Sequence, residues 1–257
     1  MHKEIVQKLH ELEKLHDIKV LYAVESGSRG WGFESVDSDY DARFIYIHKP
    51  DWYLGIEEKE DFINEPVDEV FDVSGWDIRK SLRLFRKSNP PLLEWITSPI
   101  VYIEDDIFIE KLRNFASGVF NPISTIYHYL HIAKNKYEEI QGADSVKIKK
   151  YFYILRPILA CKWVEEFGTM PPMEFNKILN EIELTPELSK SISDLLVKKA
   201  ASVESDLEPV YPNMMEYFAS KINYYAEYIK NVKFNKSSNT GLLDRLFQET
   251  LNDVWKE

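Results

Sequence analysis

The sequence predicts an α+β protein in which a small sheet-bearing half of about 105 residues precedes an all-helical half. Three observations predict it. Four short runs rich in β-branched and aromatic residues occur before residue 104, at Lys19–Glu25, Asp41–Ile47, Val67–Val73 and Ile100–Ile103. Beyond about residue 106 that signal stops, and segments 106–117, 124–140, 146–167, 171–182, 186–201, 211–231 and 242–255 carry apolar residues at helical spacing. No β-α-β alternation continues past the first half, which excludes a doubly wound dinucleotide-binding sheet. The expected domains are therefore 1–105 and 106–257.

The elements follow in order. Residues 3–15 place Ile5, Val6, Leu9 and Leu12 on one helical stripe. The run Lys19–Glu25 stops at a turn-prone segment containing Gly27, Gly30 and Gly32, and Asp41–Ile47 resumes as a strand closed by Pro50. Residues 50–66 are acidic and aromatic and read as an excursion between strands. A strand at Val67–Val73 is followed by a helix at Ile78–Lys87, which Asn89-Pro90-Pro91 halts, and by a short helix at Leu92–Ile96. In the second half, Thr185-Pro186 is an N-cap and N1 pair, and Thr169-Met170-Pro171-Pro172 marks another helix entry.

Composition removes several function classes. The 257 residues carry 32 Lys and Arg against 43 Asp and Glu, a formal charge of −11, which argues against a grip on a long phosphate backbone. The first 100 residues hold 13 bases and 20 acids, whereas Lys147 to Val164 hold five bases, no acid and the aromatic residues Tyr151, Tyr153 and Trp163. A single cysteine, Cys161, excludes a disulfide framework and a cysteine-based zinc site and suits a reducing cytoplasm. No apolar run approaches membrane-spanning length, so no membrane partner is expected.

The chemistry centres on Gly27-Ser28-Arg29 followed, nine residues later, by Asp39-Tyr40-Asp41. Alternate residues of a strand share a face, so Asp39 and Asp41 project together. Two carboxylates so close repel unless a proton or cation bridges them, and at neutral pH a divalent metal does so naturally. Gly27 permits close backbone approach, and the turn amides and the Ser28 hydroxyl can donate to phosphate oxygens. A phosphate-holding turn beside carboxylate-bound Mg²⁺ is the layout phosphoryl transfer needs. A third carboxylate is expected from a neighbouring strand. Asp72, flanked by Phe71 and Val73, is preferred, with Asp77 the alternative because it also suits the start of the following helix.

With those residues in place, the segment VESGSRGWGFESVDSDYDARFIY is similar to the signature of the DNA polymerase β-like nucleotidyltransferase superfamily. Within it, the chain resembles the predicted nucleotidyltransferases called RlaP or YcgL-like, through that segment, DVSGWDIRKSLRLFRKSNPPLLEWITSP and KKYFYILRPILACKWVEEFGTMPPMEF. The resemblance implies a minimal polymerase-β-like nucleotidyltransferase domain with a small mixed sheet, followed by a helical domain. It implies attack on the α-phosphate of a nucleoside triphosphate with two Mg²⁺ ions, or Mn²⁺ in their place. Gly27 and Ser28 would hold the triphosphate, Arg29 would contact a phosphate, and Asp39, Asp41 and Asp72 would bind metal, Asp72 also assisting deprotonation of the acceptor hydroxyl.

Other residues have plainer roles beside sharper ones. Lys149, Tyr153 and Arg156 fall on one helical face that would meet the triphosphate or the base, or else form a solvated face over core aromatics. Glu25, Glu34 and Asp37 read as solvated or capping acids, with Glu25 nearest the turn. His128 and His131 lack a third ligand nearby, and Cys161 reads as core. The expected activity is transfer of a nucleoside monophosphate from an NTP to an acceptor hydroxyl with release of pyrophosphate. The acceptor is a small molecule, a protein or a nucleic-acid end. AMP or UMP modification of a protein is the alternative enzyme, and a non-catalytic nucleotide-binding module the alternative binder.

Overall fold

A computed structural model describes residues 1–65, 71–201, 203, 206–232 and 240–256. The chain begins with α1 (His2–His16), β1 (Ile18–Ser26), the short α2 (Gly27–Trp31) and β2 (Tyr40–His48). It continues through α3 (Pro50–Tyr53), β3 (Phe62–Asn64), β4 (Phe71–Asp77), α4 (Ile78–Arg86), α5 (Pro90–Trp95) and β5 (Val101–Glu104). Then come α6 (Asp106–Val119), α7 (Pro122–Glu138), β6 (Ser145–Lys147), α8 (Ile148–Phe167), α9 (Phe175–Glu181) and α10 (Pro186–Ala201). The last elements are β7 (Leu207–Pro209), α11 (Pro212–Asn231) and α12 (Thr240–Val254). Among the described residues no helix is long and apolar enough to cross a membrane.

These elements group into two compact units. One contains Met1–Gly30, Asp39–Val119 and α12; the other contains Trp31–Ser38 and the chain from Phe120 through α11. The sheet of the first unit has the order β3-β4-β2-β1-β5. β1 is antiparallel to both β2 and β5, β2 and β4 are parallel, and β3 is antiparallel to β4. One face is covered by α1, whose Ile5, Leu9 and Leu12 pack with Ala42, Phe44, Tyr46 and Val73. On the other face Trp76 of β4 stacks on Trp95 of α5 at 4.0 Å, and the Tyr22 hydroxyl of β1 donates to the Trp95 carbonyl. The α1 stripe and the helix at Ile78 are thus where the apolar spacing puts them.

The sheet departs from expectation in two places. The excursion 50–66 contains α3 and the edge strand β3, a three-residue run whose acidic surroundings give no alternating pattern. The strand expected at Val67–Val73 runs instead from Phe71 to Asp77, while 67–70 lie outside the described residues. Its continuation to Asp77 is fixed by seven register pairs with β2, a non-local constraint that local composition does not carry.

The second unit is built around α8, which buries Tyr151, Phe152, Ile154, Leu155 and Cys161. Phe218 and Tyr225 of α11 complete the same core. The Thr185 hydroxyl accepts the Leu188 N–H as the cap of α10. Thr169 does not start a helix; it accepts the Trp163 indole N–H at 3.0 Å, and α9 begins at Phe175. A two-stranded ribbon of β6 and β7 interrupts the otherwise helical half. Only Val146 of β6 is buried, so the ribbon leaves no periodicity to read.

Candidate functional site

The end of β1 and the beginnings of β2 and β4 meet at one edge of the first unit. Ser26 pairs in register with Asp41, and Asp41 with Asp72. Because β2 and β4 are parallel, the Asp41 and Asp72 side chains leave the sheet on the same face. Arg43, two residues beyond Asp41 and on that face, donates from one guanidinium nitrogen to both carboxylates, at 3.2 Å to Asp41 Oδ1 and 2.6 Å to Asp72 Oδ2. Its other terminal nitrogen donates to the Asp72 carbonyl at 2.9 Å and the Ala42 carbonyl at 3.1 Å. The guanidinium therefore supplies the positive charge that two adjacent carboxylates require.

Gly27 closes this arrangement. Its φ is +66°, and a Cβ there would lie 2.0 Å from Asp41 Oδ2, so only glycine leaves room for the carboxylate. Ser28 follows, buried in the first turn of α2. Asp39 stands just before β2, and its carbonyl accepts the Arg29 Nε–H at 3.1 Å. The Arg29 guanidinium also lies 3.9 Å from the centre of the Tyr40 ring. Arg29 and the DYD segment are thus tied together within the same unit.

Behind Asp41 lies Glu25, fully buried, whose Oε1 accepts the Asp41 N–H at 2.8 Å. The Tyr102 hydroxyl donates to the other oxygen. Burial pushes the Glu25 carboxyl up to about 7, against the pull of these two hydrogen bonds, and the neighbouring Asp41 charge adds to the rise. Glu34 and Asp37 are exposed. The expected surface or capping acid Glu25 is instead a buried support for the Asp41 backbone. Arg43 and Tyr102 were not singled out by sequence. The signal for Arg43 was present in the Asp-x-Asp-x-Arg alternation; Tyr102 reaches the site only through the β1–β5 pairing.

Asp77 lies five residues along β4 from Asp72 and so faces the opposite side of the sheet. It caps α4, accepting the Arg79 N–H at 2.8 Å and the Tyr53 hydroxyl at 2.6 Å. Its carboxyl is buried and raised by that burial. This is the helix-start role weighed against metal ligation.

Three more of the expected residues belong to the second unit. Arg156 is buried, donates to the Met173 carbonyl at 3.3 Å and stands 4.6 Å from the Trp31 ring centre. Tyr153 meets the same indole edge-on at 5.9 Å. Lys149 is half-buried on α8. Of the other bases in that stretch, Lys150 pairs with Glu139 and Lys162 with Glu166. Cys161 is buried with its thiol raised, and its Sγ faces the Ile126 carbonyl.

Asp41 and Asp72 offer hard oxygen donors on one face, and the space a Cβ would fill at Gly27 is taken by an Asp41 oxygen. That chemistry fits Mg²⁺ or Mn²⁺ between the two strands. Among the described residues no three acidic, histidine or cysteine side chains are gathered in metal-holding geometry, so Asp39 does not stand with the other two.

Known proteins are similar to this chain. It is 45% identical over 257 residues to a Bacillus subtilis (strain 168) protein termed uncharacterized protein YcgL, covering all of this chain and 99% of that one. A nucleotidyltransferase-like protein from Exiguobacterium sibiricum 255-15 aligns in structure at 8% identity and a TM-score of 0.31, over 98% of this chain and 90% of that one. Residues 1–249 match the model of the RNA repair pathway DNA polymerase beta family, RlaP. The chain belongs to that family.

Proposed function

We propose that the protein transfers a nucleoside monophosphate from a nucleoside triphosphate to an acceptor hydroxyl and releases pyrophosphate. The observation that carries this reading is the in-register Asp41–Asp72 pair set against the Cβ-free space of Gly27. The turn amides and the Ser28 hydroxyl donate to the phosphate oxygens, and Arg29 adds a fixed positive charge beside them. Asp41 and Asp72 would hold Mg²⁺ or Mn²⁺ through their carboxylate oxygens. When bound, the cations neutralise charge on the α-phosphate and on the leaving pyrophosphate. Asp72 accepts the hydroxyl proton as the acceptor oxygen bonds to the α-phosphorus and the bond to pyrophosphate breaks. Arg43 keeps the two carboxylates at their spacing, and Glu25 fixes the backbone of Asp41. The acceptor is a small molecule, a protein or a nucleic-acid end.

The test is incubation of purified protein with labelled NTPs, Mg²⁺ and candidate acceptors, with intact-mass analysis to detect nucleotide added to protein. Asp41→Asn and Asp72→Asn should lower transfer at least a hundredfold, as expected for loss of a transition-state charge partner. Asp77→Asn, which keeps the cap, should retain transfer. Transfer unchanged in Asp41→Asn would remove the assignment, and saturable NTP binding without pyrophosphate release would leave only a binding module.

A further inference from the structure

Away from the Asp41 edge, the first unit contains a groove of about 430 Å³ between α4 and α12. Arg79, Arg83 and Arg86 line it from α4, and Leu82, Leu243 and Phe247 give it an apolar wall. The three arginines fall four and three residues apart and therefore share one helix face. Among the described residues none of the three forms an ion pair. Arg79 lies 5.3 Å from the Tyr53 ring centre and 5.7 Å from that of Trp52, Arg86 donates to the Thr240 hydroxyl at 3.2 Å, and Arg83 is exposed. Asp244 is the one acid among the lining residues, leaving a local charge of +2 in a chain of −11.

Like charges on one face repel; the helix dipole favours Arg83 and Arg86 in the last turn of α4 but not Arg79 in its first, and a groove that gathers all three suits an anion. Guanidinium groups match phosphate oxygens in planar, two-point fashion. The volume lies within the range of small-molecule sites, about 300–1,000 Å³. The apolar wall gives a ring something to lie against, which inorganic phosphate would not use. The geometry points to a second ligand site here, for a small phosphomonoester bearing a flat base: a nucleoside monophosphate. The phosphate sits on Arg83 and Arg86, and the base against Leu82, Leu243 and Phe247.

The site is independent of the Asp41–Asp72 edge, so it can be tested without catalysis. Calorimetric titration of the full-length protein with AMP in EDTA should show binding that Arg83→Gln weakens about tenfold and Asp41→Asn leaves unchanged. Arg83 is exposed, so its substitution does not threaten the fold; Arg83→Lys should recover part of the affinity. Inorganic phosphate should bind more weakly than AMP, and adenosine, lacking the phosphate, at least tenfold more weakly. AMP binding unaffected by Arg83→Gln, absent altogether, or matched by adenosine would overturn the proposal. A 5′-phosphorylated oligoribonucleotide that binds more than tenfold tighter than AMP would overturn it too, by making the groove part of a nucleic-acid surface.

Discussion

Replacing Gly27 by alanine introduces a single methyl group at a point where the turn touches the carboxylate. Two costs follow from the structure. The residue has φ of +66°, which for a side chain with Cβ costs about 1 kcal/mol. The new Cβ would also stand 2.0 Å from Asp41 Oδ2 and 2.8 Å from its Cγ, so the carboxylate must move by more than an ångström or the turn must open. Overpacking of that kind costs about 1–3 kcal/mol, for a sum of roughly 2–4 kcal/mol. Gly32→Ala separates the two costs: it also has positive φ, +79°, but nothing lies within 4 Å of its added Cβ. Urea titration followed by tryptophan fluorescence should give Gly27→Ala a loss of roughly 2–4 kcal/mol and Gly32→Ala about 1. NTP transfer should fall at least tenfold in Gly27→Ala, through displacement of Asp41. Equal stability losses in the two variants, with transfer intact in both, would refute the reasoning.

Arg43→Met leaves Asp41 and Asp72 side by side without their shared cation. Stability in EDTA should fall by about 1–2 kcal/mol for these partly exposed pairs, and Mg²⁺ should raise the melting temperature more in the variant than in the wild type. Equal Mg²⁺ shifts would refute competition between Arg43 and the cation, and the absence of a shift in both would refute a cation on these carboxylates. His48, stacked on Trp52 at 4.1 Å, has its imidazole pKa lowered to about 4, first by burial and then by the Lys59 charge. The fold therefore favours neutral imidazole: this contribution is complete above about pH 6.5 and is lost as pH falls towards 4. Melting temperatures measured over that interval should fall more steeply for the wild type than for His48→Gln, and parallel curves would count against the assignment.

Much of the candidate site was legible because its geometry is local. Asp41 and Arg43 share a face by strand alternation alone, and Gly27 falls at the end of the preceding strand, whereas Asp39 stands before β2 begins and that alternation does not carry it. Asp72 was legible as an acid within an apolar run, but its place opposite Asp41 depends on parallel pairing between β2 and β4, which no local pattern encodes. The same holds for Tyr102, brought to Glu25 across 77 positions. Arg156 was expected to offer its charge to a phosphate; instead it is buried against Trp31, because a residue from the glycine-rich turn packs on α8. Edge strand β3 and the β6–β7 ribbon escaped for a simpler reason: three residues are too few to show a period.

The segment that separates Gly27 from Asp39 carries a consequence for how this protein can be divided. Phe33 of that segment stacks on Phe152 at 5.0 Å and meets Phe175 edge-on at 5.4 Å, so the linker between the two halves of the motif is core material of the helical unit. The chain enters that unit at Trp31 and leaves it at Ser38, in the middle of its signature. The motif is consequently not a portable cassette. A fragment cut near residue 105 would keep every signature residue yet strip Phe33 of its aromatic partners, and a graft of the sheet onto another scaffold would need to bring α8 with it.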